Sequence, residues 1–158
     1  MKVYIKNKLI SITGKSFVTD INGKSVYNVK GRAFSPTKVK KVCTLDGKLL
    51  YKVRNRWFNI IIHSSFIYDA NNKRIAKVKN RFFSPGYDIE IDGASYSIEG
   101  KWLSLESKIV RNGLVIGIVR RQFTLVRDAF ELEADEANMP FMIAFVIAMD
   151  NICDNARK

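Results

Sequence analysis

The feature of this 158-residue sequence that most constrains its fold is an apolar run near the C-terminus. Residues 139–149 contain no polar side chain, and Asn138 followed by Pro140 is typical of the start of a helix. A helix that is apolar on every side has to be surrounded by the rest of the protein. Because a bilayer requires roughly 20 apolar residues, this shorter run predicts a buried core helix over about residues 138–154.

The sequence ahead of this run consists of short alternating stretches separated by turn signals. Asparagine or aspartate followed by glycine supplies the positive backbone φ angles that two-residue hairpin turns require, so each such pair predicts a β-hairpin. Five signals spaced by 20 to 25 residues amount to a repeat. They are Asn22-Gly23, Asp46-Gly47, Asn71-Asn72, Asp92-Gly93 and Asn112-Gly113.

Each repeat is a hairpin whose second strand ends in basic and then aromatic residues. Alternation places Val29, Val53 and Val78 on one face and the intervening lysines and arginines on the other. Five hairpins give ten strands, and the segments 9–12 and 129–133 raise the number to about twelve.

Consecutive hairpins with one apolar face hide that face by closing into a barrel. A barrel of ten to twelve strands leaves room for a helix about 10–12 Å across. We therefore predict a mostly β, closed antiparallel barrel over about residues 3–134 that encloses the hydrophobic helix. The whole chain, residues 1–158, is predicted to be one domain.

The formal charge of +12 is concentrated in the first half of the chain. Residues 1–80 contain 18 lysines and arginines against three acids, a net +15, whereas residues 81–158 contain nine against twelve, a net −3. This asymmetry favours an anionic partner such as phosphate-rich lipid, nucleic acid or an acidic protein face. A solvated basic surface that aids solubility accounts for the same charge.

The strongest candidate site is a basic patch on the strands of the first three repeats. Residues two apart on a strand share a face, and neighbouring hairpins bring such residues side by side, where like charges repel unless an anion lies between them. Phosphate suits arginine through paired hydrogen bonds. The candidate ligand-binding residues are Lys30, Arg32, Lys52, Arg54, Arg56, Lys77, Lys79 and Arg81.

Aromatic residues follow these basic strands. They suit a membrane-insertion rim or a base-stacking platform, but packing at the barrel ends explains them more simply because aromatic side chains dominate core area. No RNA- or DNA-binding motif accompanies the charge, so nucleic acid is not favoured as a partner. The aromatic residues are Phe34, Trp57, Phe58, Phe82, Phe83 and Trp102.

The sequence contains no catalytic or metal-binding pattern. It lacks a nucleophile elbow, a phosphate-binding glycine loop and a zinc-binding helix pair, and His63 is not spaced to share a metal with Cys43 or Cys153. Acids ahead of the helix lack the calcium-loop pattern, and we expect them to complement the positive helix N-terminus. We expect no enzyme activity, cofactor or metal. The acids are Glu131, Glu133, Asp135 and Glu136.

The ends and the cysteines of the chain bear on its location. The N-terminus has no apolar core long enough for a signal peptide, and no run is long enough to span a membrane. Two cysteines outside any zinc or CxxC spacing indicate free thiols in a reducing compartment. We therefore expect a cytoplasmic protein, attached peripherally to the membrane where lipid is its partner.

The order of these motifs resembles the tubby C-terminal-like superfamily, and within it the LURP-one-related family, as a short bacterial-type member. The resemblance covers essentially the whole chain and implies a twelve-stranded closed barrel around a C-terminal helix. It rests on Asn22-Gly23-Lys24, Asp46-Gly47-Lys48, Phe34-Ser35-Pro36, Phe83-Ser84-Pro85, Ile98-Glu99-Gly100-Lys101-Trp102 and the acidic link 131–136.

For function, the resemblance implies a binding module. Tubby itself looks like a phosphoinositide-binding membrane tether that holds the lipid through a Lys-x-Arg pair on its barrel. Because such pairs recur in this repeat, the resemblance selects none of them. We expect a non-enzymatic module for anionic, phosphoinositide-like phospholipid headgroups; a protein-interaction or structural domain with incidental charge is the alternative. The three pairs are Lys30/Arg32, Lys52/Arg54 and Lys79/Arg81.

Overall fold

The computed structural model describes residues 1–6, 14–31, 36–57, 63–80, 87–91, 94–99, 106–122 and 129–156. Within these residues the chain forms twelve β-strands and then one helix, α1, which spans Met139–Ala156. The strands are β1 (Lys2–Lys6), β2 (Gly14–Asp20), β3 (Ser25–Gly31), β4 (Lys40–Cys43), β5 (Leu49–Asn55), β6 (Ser64–Asp69), β7 (Arg74–Asn80), β8 (Tyr87–Ile91), β9 (Tyr96–Glu99), β10 (Glu106–Arg111), β11 (Leu114–Gln122) and β12 (Ala129–Ala134).

All twelve strands belong to one antiparallel sheet. Strands that follow one another in the chain are neighbours from β1 to β8 and from β9 to β12, and β1 also pairs with β12. The two strands at the ends of this order, β8 and β9, contact each other. The sheet therefore curls into a nearly closed barrel, which confirms the predicted fold. The predicted strand at residues 9–12 lies outside the described residues.

The strands run alternately up and down, so their connections fall at two ends of the barrel. Four short turns, β2–β3, β4–β5, β6–β7 and β10–β11, lie at one end, which we call the turn end. The chain also passes from β12 into α1 at this end, where the Ala134 N–H donates to the carbonyl of Met1. The loops of the four turns are residues 21–23, 45–47, 70–72 and 112–113.

The core lies between the inner face of the sheet and α1. Val29, Val53 and Val78 are buried on that face, as their alternation predicts. The helix is buried from Phe141 to Met149, so its apolar surface is enclosed on every side. Near the turn end, the ring centroid of Phe141 lies 6.0 Å from that of Tyr51. The predicted enclosure of the helix is therefore confirmed.

Three of the turns share one backbone pattern. In β2–β3 the Asp20 N–H donates to the Lys24 carbonyl (2.9 Å), and the Gly23 N–H donates to the Asp20 carbonyl (3.1 Å). The same two bonds recur between residues 44 and 48 and, with Asn72 in place of glycine, between residues 69 and 73. Only the last loop residue has a positive φ, for example 78° at Gly23. These loops are therefore three residues long.

The two-residue turns that the sequence predicts are wrong at these three positions and right at Asn112-Gly113, where both φ angles are positive (50° and 79°). A side chain explains the longer loops. The Asp20 carboxylate accepts hydrogen bonds from the Asn22 and Lys24 N–H groups (2.9 Å each), which stabilises a type I turn closed by a glycine. The fifth predicted turn, Asp92-Gly93, lies outside the described residues.

The enclosure of α1 predicts the effect of one substitution. Phe145 is 0% exposed, so Phe145→Asp places a charge among apolar side chains, and we expect no cooperative thermal unfolding transition. The matched control is Leu114→Asp, because Leu114 is 73% exposed at the turn end. We expect the control to keep its unfolding free energy within about 0.5 kcal/mol of the wild type. A cooperatively folded Phe145→Asp protein, measured by circular dichroism, would contradict the enclosed helix.

Candidate anionic-ligand surface

The register of β3, β4 and β5 places three lysines side by side on the outer face of the barrel. Lys30 lies opposite Lys41, and Lys41 lies opposite Lys52. Their neighbours along each strand, such as Val29, Val42 and Val53, point into the core. Directly opposed residues have Cβ atoms about 4.5–5.5 Å apart, so these ammonium groups repel one another. We call Lys30, Lys41 and Lys52 the lysine row.

Tyr68 extends the row onto β6 and gathers two cations. It lies opposite Lys52, and its hydroxyl accepts a hydrogen bond from Arg54 Nε (3.0 Å). Lys52 Nζ and Arg54 Cζ each lie 4.9 Å from the centroid of its ring. Cations are attracted to the face of an aromatic ring, so Tyr68 holds Lys52 and Arg54 close together despite their like charges.

Burial and the crowding of positive charge both change the pKa of Lys52. Burial first, and then the charges of Arg54 and Lys41, lower the pKa of Lys52 below its ordinary value. Each of these causes disfavours the protonated ammonium, and the two charge effects act in the direction that a bound anion reverses. The arrangement is therefore electrostatically suited to an anion.

The two predicted site residues on β7 have a different environment. Lys77 Nζ and Lys79 Nζ each lie 3.0 Å from a carboxylate oxygen of Glu90 on β8. These hydrogen bonds lower the pKa of Glu90, so the carboxylate stays ionised between the two ammonium groups. The positive charge of Lys77 and Lys79 is partly compensated.

The lysine row contrasts with this pair. Within the part of the chain that the structure describes, no carboxylate lies within 4.0 Å of Lys30, Lys41, Lys52 or Arg54. Arg56 is exposed directly after β5. Arg32 and Arg81 lie outside the described residues. Of the predicted patch, Lys30, Lys52 and Arg54 therefore lie near one another without a described carboxylate, whereas Lys77 and Lys79 form a compensated pair on β7.

Sequence reasoning missed Lys41, Tyr68 and Asn72. The Lys52 ammonium donates a hydrogen bond to the Asn72 side-chain oxygen in the β6–β7 turn. The available signal for Lys41 was its alternation with the buried Val42 on a strand that precedes the Asp46-Gly47 turn. Its place beside Lys30 depends on the register between β3 and β4, which no local pattern specifies.

Lys40 shows that some of the basic residues face the interior. It is 6% exposed and lies on the opposite strand face from Lys41, beside Gly31. Burial and then the charge of Lys38 lower the pKa of Lys40, whereas Asp150 in α1 raises it. Lys40 therefore belongs to the barrel interior and adds nothing to the outer surface.

Of the six aromatic residues that follow the basic strands in the sequence, only Trp57 lies in the described part of the structure. Its side chain is exposed, so the predicted core packing is wrong for Trp57. Five of the predicted set lie outside the described residues. They are Phe34, Phe58, Phe82, Phe83 and Trp102.

On the other side of the barrel, Arg120 and Lys2 on the outer face are paired with acids. Arg120 on β11 contacts three glutamates: Glu106 at 2.8 Å, Glu131 at 3.1 Å and Glu133 at 2.8 Å. Lys2 on β1 also contacts Glu131, at 3.1 Å. The expectation that Glu131 and Glu133 serve the helix N-terminus is therefore wrong. Strand pairing places both beside Arg120 and Lys2.

Asp135 does interact with the start of α1, because its carboxylate accepts a hydrogen bond from the Asn138 N–H (2.8 Å).

Among the described residues, no group of three or more histidine, cysteine or acidic side chains is placed to hold a metal ion. None of the helical segments that the structure describes combines the length and apolar character needed to cross a membrane.

Both the sequence and the fold of this chain resemble those of known proteins. The sequence model of the LURP-one-related family matches residues 1–150. An X-ray structure of a protein from Arabidopsis thaliana superposes with a TM-score of 0.63 at 14% sequence identity, covering 96% of this chain and 91% of that one. At this identity the likeness concerns the fold. No curated protein matches the sequence.

The Arg120 network predicts a dependence of stability on pH. Arg120→Met leaves three carboxylates without this partner, including the buried Glu131, and we expect a loss of about 1–2 kcal/mol in unfolding free energy at pH 7. Lys108→Met on the neighbouring β10, where Lys108 is exposed, is the control and should change little.

The sign of the pH effect follows from the glutamates. Burial raises the pKa of Glu131, but contacts with Lys2 and Arg120 outweigh it, so its pKa is lowered, as is that of Glu133 beside Arg120. Their contribution is present above the ordinary glutamate pKa of 4.5 and is lost as the pH falls through the lowered values. Denaturant titrations should show the Arg120→Met deficit shrinking in acid; a deficit that is constant with pH would contradict the ion pairs.

Proposed function

The chain belongs to the LURP-one-related family, and from this we propose that it is a non-enzymatic module that binds anionic phospholipid headgroups at a membrane surface. The family and its tubby-like barrel support a binding module in general. The observation that carries the finer proposal is the lysine row, with Arg54, on the outer face of the barrel, where no described carboxylate compensates it.

The chemistry of this surface fits phosphate. Lysine ammonium groups donate hydrogen bonds from a compact charge, and the guanidinium of Arg54 offers paired donors to phosphate oxygens. Neighbouring strands lie about 4.8 Å apart, so the row presents three ammonium groups over about 10 Å, which allows contacts with more than one phosphate. Burial and then repulsion by Arg54 and Lys41 lower the pKa of Lys52, and a bound phosphate relieves the repulsion. Phosphoinositide-like headgroups are accordingly the ligands we favour.

Such a ligand implies peripheral attachment at the cytoplasmic leaflet, which is rich in anionic lipid. A juxtamembrane lysine or arginine contributes about 1 kcal/mol at such a surface. The lysine row and Arg54 supply four such charges from one face of the barrel. We place the protein in the cytoplasm and assign it no cofactor.

A charge-matched pair of variants tests the proposal. Lys52→Gln/Arg54→Gln removes one charge of the lysine row and the neighbouring charge of Arg54, and Lys77→Gln/Lys79→Gln removes two charges that already contact Glu90. We expect the first variant to lose roughly tenfold or more of its affinity for phosphoinositide-containing vesicles at near-physiological salt, and the second to lose much less. Binding is measured by co-sedimentation with neutral, phosphatidylserine-containing and phosphoinositide-containing vesicles.

Two results would contradict the proposal. In one, the wild type is not retained by any anionic vesicle at near-physiological salt, which would direct attention to a protein partner. In the other, both variants lose the same amount of affinity for the vesicles. Binding would then depend only on net charge, and the lysine row would not be a specific binding site.

Glu90 offers a test in the opposite direction. Glu90→Gln removes the carboxylate that Lys77 and Lys79 share, so the outer surface of β7 becomes more positive and attracts anionic headgroups more strongly. We expect vesicle affinity to rise roughly threefold to tenfold, measured in the same co-sedimentation assay. Glu99→Gln on the exposed face of β9 is the control for the added charge. An equal gain in both variants would contradict a local effect on β7.

A further inference from the structure

Three neighbouring turns at the turn end share a lysine after the loop, and two of them also share a large apolar residue at the start of the loop. The first loop residue of the β2–β3 and β4–β5 turns is a large apolar side chain that faces solvent, Ile21 at 71% exposed and Leu45 at 48%. The β6–β7 turn has the smaller Ala70 at this position. An exposed lysine closes each of the three loops. These lysines are Lys24, Lys48 and Lys73.

Hydrogen bonds hold these turns in shape. The Asp20 carboxylate accepts from the Lys24 N–H (2.9 Å), the Thr44 hydroxyl from the Lys48 N–H (3.0 Å), and the Asp69 carboxylate from the Lys73 N–H (2.8 Å). The tips are two strands apart in the sheet, which is about 10 Å. Ile21 and Leu45 are therefore presented at fixed positions, with a lysine after each loop.

The lysine row reaches the same turns. The Lys52 ammonium bonds to Asn72 in the β6–β7 loop, and the Lys30 ammonium lies 3.5 Å from where a Cβ on Gly47 would be, in the β4–β5 loop. The ammonium groups of Lys30 and Lys52 thus lie beside the β4–β5 and β6–β7 loops. We call this combined area the turn-tip surface. Its members are Ile21, Leu45, Lys24, Lys48, Lys73, Lys30 and Lys52.

We propose that the protein docks on an anionic bilayer with this surface, inserting Ile21 and Leu45 into the boundary between headgroups and acyl chains. The inference rests on the proposed function and deepens it by giving the orientation and an apolar contribution. Interfacial segments combine apolar side chains that enter this boundary with lysines that reach the phosphates. The alternation of apolar tip and lysine matches that layering.

The opposite side of the same end supplies the contrast. The β10–β11 turn lies six strands from β4–β5 in the sheet order, across the barrel, and is followed at the start of β11 by Leu114 (73% exposed) and the exposed Val115. The exposed Asp135 and Glu136 follow β12, the strand next to β11. The five lysines of the turn-tip surface outnumber the three acids of its turns, Asp20, Asp46 and Asp69, whereas Asp135 and Glu136 are both negative and disfavour contact of their side with an anionic surface. The bilayer therefore meets the β2 to β7 side first.

Variants that keep the net charge test the docking mode. Ile21→Ser/Leu45→Ser removes the two apolar tips, and Leu114→Ser/Val115→Ser removes the exposed pair across the barrel. The probe is a phosphatidylcholine vesicle containing phosphatidylserine, at about 0.1 M and about 0.5 M salt, where charges are screened to different degrees. We expect the first variant to lose roughly tenfold in partitioning at both salts and the second less than twofold.

The depth to which the loop side chains insert into the bilayer is measured by tryptophan fluorescence. Leu45→Trp and Leu114→Trp are compared with the wild type on vesicles whose acyl chains carry bromine. We expect added quenching for Leu45→Trp alone. Because the side chains of all four substituted positions are exposed, circular dichroism should show that every variant is folded. These positions are Ile21, Leu45, Leu114 and Val115.

The outcomes separate the two proposals. If the wild type binds and the Ile21→Ser/Leu45→Ser protein binds equally well, the docking mode is wrong while headgroup binding stands, and the tips serve another partner such as a protein. Equal losses in both double variants would also overturn the orientation. If no form binds anionic vesicles, headgroup binding and the docking mode both fail.

Discussion

The packing of an apolar helix inside the barrel is the interaction on which the rest of the structure depends. Phe145 and its neighbours in α1 fill the space that the inward-facing strand residues leave. This burial drives the sheet to curl and brings β8 beside β9. Because α1 occupies the interior, the surfaces that we propose for a ligand lie on the outer face of the strands and at the turns of one end.

Charge on that outer face is arranged differently on the two sides of the barrel. On the β10 to β12 side, Arg120 lies among three glutamates, so positive and negative groups balance locally. On the β3 to β6 side, Lys30, Lys41 and Lys52 stand next to one another. A net charge alone is compatible with simple solubility. The local pairing on one side and crowding on the other make the basic side a distinct surface, where burial, and then the charges of Arg54 and Lys41, lower the pKa of Lys52.

The sequence predicts the features that depend on local pattern. The burial of Val29, Val53 and Val78 follows from alternation, and the hairpins follow from residues that accept positive φ. The loop length was mispredicted because the Asp20 carboxylate accepts a hydrogen bond from the Lys24 N–H and thereby stabilises a loop of three residues instead of two. The site was only partly predictable, since the contact of Glu90 with Lys77 and the place of Lys41 beside Lys30 both depend on pairing between strands.

The central claim is that the lysine row, with Arg54, receives phosphate. The most direct measurement is an NMR titration of the lysine side-chain resonances with a soluble inositol phosphate at near-physiological salt. The account predicts selective shifts at Lys30, Lys41 and Lys52, a rise in the pKa of Lys52 on binding, and smaller changes at Lys77 and Lys79 beside Glu90. Uniform small shifts across all lysines, with the pKa of Lys52 unchanged, would contradict it.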